Sequence, residues 1–524
     1  MSELKLTPTQ QTAAIDCAAQ SMALRSGAGC GKTFVLAKRY TQLLTNAGPD
    51  AAGLRRLVAL TFTDKAAIEM SQRVRKMLLA DAKKASGPQK AQLRAWVDEL
   101  PEARISTIHS FCASLLRAHA IEAGVDPNFA VCADDLLVSK LLEDACDSSM
   151  LAAAEANDLK LTALLQHLPY PAVVELLTTL VSERQLLDSD NFRDPDDVTA
   201  RWEALLDRQR LAAWSRMDKD AELARLAQSI NDQECDDPGD KLAVKRHTLM
   251  PVVNEIIADH SARTSENFTL ACKFMIGTVG SKAAWGSKED AMALRHKIRD
   301  LKEILKTYAP YAETLNEMDR RSAESLVALA SLADDAEARY ASAKRTRGVL
   351  DFNDLIVHAG DLIRSNPDVR RQLAGGIEQI LIDECQDTDA FQLQMLAELV
   401  SASRGEPTSA FVVGDAKQSI YRFRGADVDE FENTCSLLGG GRSESLDLSF
   451  RTHRPGVEFV NALFEPLMGR QYETISAHRT ETPPHESVEI LLADRDTPID
   501  NSEEASTAQA ALTAQRIAEM IENK

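Results

Sequence analysis

Residues 21–33 read SMALRSGAGCGKT, a short apolar run that ends in a glycine-rich turn and restarts at Lys32 and Thr33. Ser21–Arg25 reads as a buried strand and Thr33–Leu44 as a helix. Between them lie Ser26, Gly27, Ala28, Gly29, Cys30 and Gly31. Glycines in such a turn let backbone N–H groups point inward, and with the helix N-terminus they cradle phosphate. Lys32 then reaches the β- and γ-phosphates of a nucleotide, and the Thr33 hydroxyl binds Mg²⁺. Ser26 stands where the usual pattern has glycine, and an ordinary glycine-rich turn is the bland alternative.

Outward from this stretch, strands and helices alternate. Arg56–Thr61 reads as a strand and Lys65–Leu79 as a helix, which predicts an α/β fold with a parallel sheet covered on both faces. From about residue 131 to 345 the pattern becomes helical throughout, as in Asp134–Ala145 and Ala323–Lys344. Strands return at Gln379–Ile382, Ala410–Val413 and Ser445–Leu448. The sheet domain is therefore expected to be discontinuous, with a helical insertion of about 200 residues, more than one core's worth of chain in all. Past Arg451 the pattern predicts a helix over Gly456–Leu467, a strand over Ser487–Ala493, an acidic linker over Thr497–Ala505 and a helix over Ser506–Glu522.

Composition narrows the class. The 524 residues are 44% hydrophobic and 27% charged, values of a globular protein. No apolar run approaches the roughly 20 residues of a membrane span, and the N-terminus lacks an apolar signal core. Nine cysteines are scattered without paired spacing, which suits reduced cytoplasmic thiols and not a structural zinc site. Net charge is −20, yet residues 1–130 hold 17 Lys and Arg against 11 Asp and Glu. The remainder holds 43 against 69. A basic first segment on an acidic body permits a local nucleic-acid groove.

Two further stretches carry chemistry. Ile380–Glu384 is an apolar strand ending in adjacent acids. Asp383 suits Mg²⁺, and Glu384 suits polarising an attacking water. Phe411–Asp427 reads FVVGDAKQSIYRFRGAD. It follows a strand with Gln418, an amide able to contact phosphate, and then interleaves Tyr421, Arg422, Phe423 and Arg424. Ring faces and guanidinium groups beside a phosphate sensor would touch nucleotide and nucleic acid on one loop.

Taken with these, four more phrases resemble the motif set of superfamily 1A DNA helicases of the UvrD/Rep/RecB type. Leu6–Gln10 resembles the Q motif. Thr61–Ala67, with Glu69, Met70 and Arg73, resembles motif Ia. Ile105–Cys112 resembles the next DNA-contacting motif, and Leu446–Thr452 resembles motif IV. The motifs occur in family order across residues 6–452. The phrases TIHSFC, Gly124–Phe129, Leu350–Leu355 and the SFR form of motif IV are most similar to the AddA subunit of AddAB helicase–nucleases.

The resemblance implies a P-loop, RecA-like parallel sheet formed by residues 1–130 and 346–450 (domain 1A). It implies an all-helical insertion over 131–345 (domain 1B) and the start of a second RecA-like domain over 451–524 (domain 2A). It implies an ATP-dependent 3′–5′ DNA helicase of double-strand-break repair that uses ATP and Mg²⁺. Its partners would be single-stranded and duplex-end DNA and an AddB-like nuclease subunit, in the cytoplasm and away from membranes. Within that frame Lys32, Glu384, Gln418 and Arg451 are catalytic. Gln10 reads the adenine edge, Phe450 stacks on adenine, and Thr33 and Asp383 hold Mg²⁺. Phe62, Thr63, His109, Ser110, Tyr421, Phe423 and Arg424 line the DNA path.

Other readings stay open. Phe62 and Phe423 also suit a core, His109 a helix-start hydrogen bond, and Lys65 and Arg73 a solvated helix face. A nonmotor DNA-binding scaffold that retains a nucleotide pocket, or a UvrD-type repair helicase without a nuclease partner, fits the same residues. The sequence departs from the family at Asp64, where asparagine is usual, and at Cys385, which replaces an aromatic. Motifs V and VI and a nuclease motif are not found, so the chain is expected to be truncated before them.

Overall fold

A computed structural model describes residues 6–47, 52–184, 189–401, 408–420, 433, 435–469, 472–479, 481, 488–491 and 502–522. The chain forms two compact units, Met1–Ala133 with Gly348–Lys524, and Asp134–Arg347.

The first unit is built on a parallel sheet. Its strands are β1 (Met22–Ser26), β2 (Leu57–Thr61), β3 (Arg104–Thr107), β6 (Gln379–Ile382), β7 (Ser409–Gly414) and β8 (Ser443–Leu446), in the order β3-β2-β6-β7-β1-β8. The short pair β4 (Ala130–Val131) and β5 (Val349–Leu350) lies in a separate ladder, also parallel. Strands β6 and β7 are buried at every position. That follows from their uninterrupted apolar runs, which suit strands covered on both faces.

Alternation along each strand divides the core in two. Ala59, Leu381, Phe411 and Val413 face one side with Val35, Leu36, Tyr40, Met70, Val74 and Trp96. Those partners come from helices Lys32–Asn46, Asp64–Lys84 and Gly87–Glu99. Val58, Leu60, Ile380, Ile382 and Val412 face the other side with Phe111, Leu116, Ile356, Ile363 and Leu396. Those belong to helices Ile108–Ala118, Phe352–Ser365 and Ala390–Ser401.

One cation is built into the first core. Arg39 is fully buried, and its guanidinium lies 4.1 Å from the centre of the Phe411 ring. Its Nε donates to Gln379 Oε1 at 2.8 Å and its Nη1 to the Ala13 carbonyl at 2.6 Å. Its Nη2 donates to the Gln20 carbonyl. Burial lowers its pKa to about 9, opposed by the nearby Cys17.

Two expectations are corrected. The single strand expected over Ser445–Leu448 is two: β8 ends at Leu446 and β9 runs Leu448–His453. They separate at Asp447 because β8 pairs with β1, whereas β9 pairs with β10 (Ser476–Arg479) in a second small sheet. The strand expected over Ser487–Ala493 is not formed at residues 488–491. Two terminal helices, Arg454–Met468 and Ser502–Glu522, complete the described part of this unit.

Among its described residues the second unit is helical throughout, from Asp135–Glu155 to the long helix Glu317–Arg347. Asp134, Asp158, Asp194, Asp220 and Asp240 each accept a backbone N–H at a helix start. Part of the acidic excess of this region is therefore capping chemistry. Trp214 stacks on Phe268 at 5.8 Å, and Trp285 joins the same core. Together with Trp96 in the first unit, these tryptophans are packing residues.

Candidate functional site

The turn after β1 is shaped by two glycines. Gly29 and Gly31 have φ of +78° and +88°, which side chains resist. Gly31 is the N-cap of helix Lys32–Asn46, so that helix's first amides open onto the turn. A Cβ on Gly29 would lie 2.6 Å from Arg451 Cβ and 2.9 Å from Ser449 Oγ. Strand β9 is pressed against the loop at that point. The Phe450 backbone N–H donates to the Gly29 carbonyl at 2.9 Å, and Ser449 Oγ donates to the Ala28 carbonyl at 3.1 Å.

These elements enclose a cavity of about 320 Å³. Ala28, Gly29, Gly31, Lys32 and Thr33 form one wall, and Glu384, Gln418, Phe450 and Arg451 form the other. Larger cavities exist, about 560 Å³ beside Lys38 and Trp96 and about 660 Å³ beside Arg104 and His119. Neither gathers a glycine turn, a helix N-terminus and convergent charges, so chemistry selects the smaller one.

Inside it, Lys32 Nζ meets Glu384 Oε2 at 2.8 Å. Glu384 holds a left-handed φ of +51°, an uncommon conformation for a residue with a side chain. The conformation turns the chain sharply after β6. Asp383, 5% exposed, accepts the Glu384 N–H at 3.1 Å. Burial, then the neighbouring Glu384, pushes its pKa up to about 6, with Lys32 opposing. Burial and Glu384 raise Asp387 to about 6 as well.

Asp383 and Asp387 thus carry resisted negative charge on either side of Glu384, although neither lines the cavity itself. Hard oxygen donors of that kind fit Mg²⁺, which takes one or two carboxylates and completes its shell with phosphate and water. Among the described residues no group of three or more His, Cys, Asp or Glu forms a closed metal cage.

The remaining cavity residues are placed as follows. Gln418 Nε2 donates to Asp415 Oδ2 at 2.6 Å. The Phe450 ring is half-buried, 4.7 Å from the His478 ring. Gln10 and Ser26 do not line the cavity. Gln10 Nε2 donates to the Cys30 carbonyl at 3.1 Å, and its Oε1 accepts the Thr7 N–H at 3.1 Å, so it braces the loop from behind. Ser26 Oγ donates to the neighbouring Gly27 carbonyl at 3.3 Å. Gly27 packs on Ile475, where a Cβ would come within 2.6 Å. Arg73 lines the cavity as well. The sequence left it between motif Ia and a solvated helix face; its position after β2, a neighbour of β6, is the signal that places it here.

The residues read as a DNA path divide between places. Strands β2 and β3 pair in parallel with Thr61 opposite Thr107. The segments that follow them, with Phe62 and Thr63 on one and His109 and Ser110 on the other, lie together at the sheet edge where the phosphate loop emerges. Thr63 Oγ1 caps helix Asp64–Lys84 by accepting the Ala66 N–H at 3.1 Å. Ser110 Oγ accepts the Thr107 hydroxyl at 3.0 Å. His109 meets Phe352 edge-on at 5.3 Å, and burial lowers its pKa while Asp64 opposes. Tyr421, Phe423 and Arg424 lie outside the described residues.

Comparison with known proteins agrees with this geometry. The UvrD/REP helicase N-terminal domain matches residues 7–436. The AddA-type ATP-dependent helicase/nuclease protein from Carboxydothermus hydrogenoformans is 28% identical over 90% of this chain and 41% of its own length. The proteins of the same name from Exiguobacterium sibiricum and Alkaliphilus metalliredigens are 30% and 27% identical, over 98% and 99% of this chain. The chain spans 45% of the length of each of those two. No helix among the described residues is long and apolar enough to cross a membrane. The chain belongs to the UvrD/REP helicase family, which it matches through that family's N-terminal domain.

Proposed function

We propose that this chain is the ATP-binding part of an AddA-like DNA helicase that translocates on single-stranded DNA in double-strand-break repair. The observation that carries the reading is the Lys32–Glu384 pair inside a glycine-walled cavity at the carboxyl edge of a parallel sheet. That edge is where open α/β folds bind ligands.

The residues divide the work. Lys32 and the amides of the loop bind the β- and γ-phosphates, and Phe450 offers a ring to the adenine. Glu384 takes the proton of the attacking water, Gln418 contacts the γ-phosphate, and Arg451 stabilises charge on the transferring group. Thr33 and Asp383 would hold Mg²⁺, which supplies charge neutralisation between the phosphates. Phe62, Thr63, His109 and Ser110, with Tyr421, Phe423 and Arg424, form the strand path, where stacking tolerates any base sequence.

Residues 1–130 with 346–450 act as domain 1A, 131–345 as domain 1B and 451–524 as the beginning of domain 2A. The resemblance to AddA-type helicases adds a 3′–5′ direction, an AddB-like nuclease partner and a cytoplasmic setting to this reading. Titration with a fluorescent ATP analogue tests the site: wild type binds in the presence of Mg²⁺ and Lys32→Ala does not. Wild type without Mg²⁺-dependent affinity removes the reading.

A further inference from the structure

Gly27, where the phosphate loop leaves β1, lacks the left-handed φ of Gly29 and Gly31. What a side chain there would meet is Ile475: a Cβ on Gly27 would lie 2.6 Å from Ile475 Cγ2. Ile475 does not line the cavity; it packs half-buried against the core that holds Cys30 of the same loop. Residues 472–476, which carry it, are tied down along their length. Lys417 Nζ donates to the Glu473 carbonyl at 3.0 Å, and Ser445 Oγ donates to Glu473 Oε2 at 3.0 Å. Arg25 of β1 lies 3.8 Å from Glu473 Oε1. The Ser476 N–H donates to the Asp447 carbonyl at 2.7 Å. Asn461, on helix Arg454–Met468, holds both backbone groups of Ile475. Its Nδ2 donates to the Ile475 carbonyl at 2.7 Å, and its Oδ1 accepts the Ile475 N–H at 3.2 Å.

We propose that Ile475 is a positioning residue for nucleotide binding: from the strap formed by residues 472–476 it fixes the Gly27 end of the phosphate loop before ligand arrives. The proposal rests on the cavity being the nucleotide site. A loop that must be ordered by its ligand loses affinity to that ordering, and a loop held in the bound shape does not. Strand β9 holds the loop at Ala28 and Gly29. Ile475 holds it one residue earlier, on a side that the cavity-lining residues do not cover. The hold is stiff at both levels. Asn461 fixes the Ile475 main chain through its donor and its acceptor, and a β-branched side chain has little freedom at χ1. Cγ2 is thereby kept against Gly27, and the absence of a Cβ on Gly27 is what lets the strap come that close.

A merely structural isoleucine would fill a gap, and its loss would add to any other loss. A double-mutant cycle separates the cases. The affinity for a fluorescent ATP analogue with Mg²⁺ is measured in four proteins. Gly27→Ala forces a Cβ onto Ile475 and is expected to bind about 10-fold more weakly or worse. Ile475→Ala alone frees the loop and is expected to bind about 3-fold more weakly, whereas Ile475→Val, which keeps Cγ2, binds as wild type does. In the Gly27→Ala background Ile475→Ala removes the clash, so there it is expected to strengthen binding, to within about 3-fold of wild type. That reversal of sign is what a gap-filling role would not produce. A double variant that binds no more tightly than Gly27→Ala overturns the proposal, and so does Gly27→Ala that binds as wild type does. Wild type that binds no analogue overturns the nucleotide reading as well, which tells the two failures apart. Hydrogen exchange on wild type needs no variant to fold. Protection of the Ile475 and Ser476 amides is expected to rise on adding the analogue and Mg²⁺, and unchanged protection overturns the strap's part in binding.

Discussion

The Phe450 backbone N–H donates to the Gly29 carbonyl at 2.9 Å, which fastens strand β9 to the phosphate loop. Ser449 adds its hydroxyl to the Ala28 carbonyl beside it. The loop is thus shaped both by its own glycines and by a strand from far downstream. The same strand carries Phe450 and Arg451 into the cavity wall. Loop geometry and the placement of those two side chains are therefore one structural fact.

Gly29→Ala should expose that dependence. The added Cβ would sit in a left-handed conformation, costing about 1–2 kcal/mol, and would also strike β9. Affinity for a fluorescent ATP analogue is expected to fall about 10-fold or more, since 1.4 kcal/mol is a factor of ten. Gly441→Ala shares the positive φ but meets nothing within 4 Å. It should leave nucleotide affinity unchanged, and an equal loss in both variants would refute the docking argument.

Phe450→Ala isolates the base-binding role. A stacked aromatic contributes about 1–3 kcal/mol per base. The variant is expected to lose about 10-fold in affinity for adenosine nucleotides and nothing for inorganic triphosphate, read by competition against the fluorescent analogue. Equal losses for both ligands would mean that Phe450 acts by holding the loop.

Much of this was legible in the sequence, for a physical reason. Apolar strands buried on both faces leave a dense signature, so Gln379–Ile382 is bounded correctly and the sheet's discontinuity is visible before any coordinates. The loop around Gly29 and Gly31 is legible because the required backbone angles admit few residues. The break at Asp447 is not legible: residues 445–450 alternate smoothly, and only the pairing partners divide them. Gln10 suited a nucleotide contact by type, yet a capping box with Thr7 and the Cys30 carbonyl take its amide. Arg39 was missed because its partners are remote in sequence. A lone Arg on a helix reads as a solvated side chain until the other strands arrive.

Arg39 yields a stability prediction on that ground. Arg39→Leu keeps an apolar body against Phe411 but strands Gln379 Oε1 and two backbone carbonyls in the core. Each buried acceptor left unsatisfied costs about 1–3 kcal/mol. Hydrogen-exchange protection in β6 and β7 is expected to drop by at least an order of magnitude, while the helical unit 134–347 keeps its protection. Unchanged protection in the sheet would mean that the cation contributes no net stability there.

His109 sets a pH dependence. Burial holds its imidazole below the ordinary value, so the folded protein favours the neutral ring. The unfolded chain then binds the proton more readily. The stability this residue confers is present above the unfolded pKa of about 6.5 and is lost as pH falls through the folded value. The melting temperature of wild type should therefore decline more steeply than that of His109→Gln as pH falls below neutrality. Parallel declines would place the ring in water. A ring neutral at pH 7 also adds no phosphate charge, so His109→Gln should leave the salt dependence of DNA binding unaltered.

Glu384→Gln separates binding from chemistry. The substitution keeps the shape of a residue already held at φ +51° and removes the charge that pairs with Lys32. Nucleotide no longer has to displace a carboxylate from the ammonium group, so affinity for ATP should equal or exceed that of wild type. Hydrolysis loses its general base and should fall about 10²-fold or more. Both quantities come from one preparation, by analogue titration and by phosphate release in the presence of single-stranded DNA. Weaker binding in the variant would make Glu384 a structural partner of Lys32. Undiminished hydrolysis would assign the proton to another group, and Asp387, which burial and Glu384 raise to about 6, lies in the turn Cys385–Asp387 beside it.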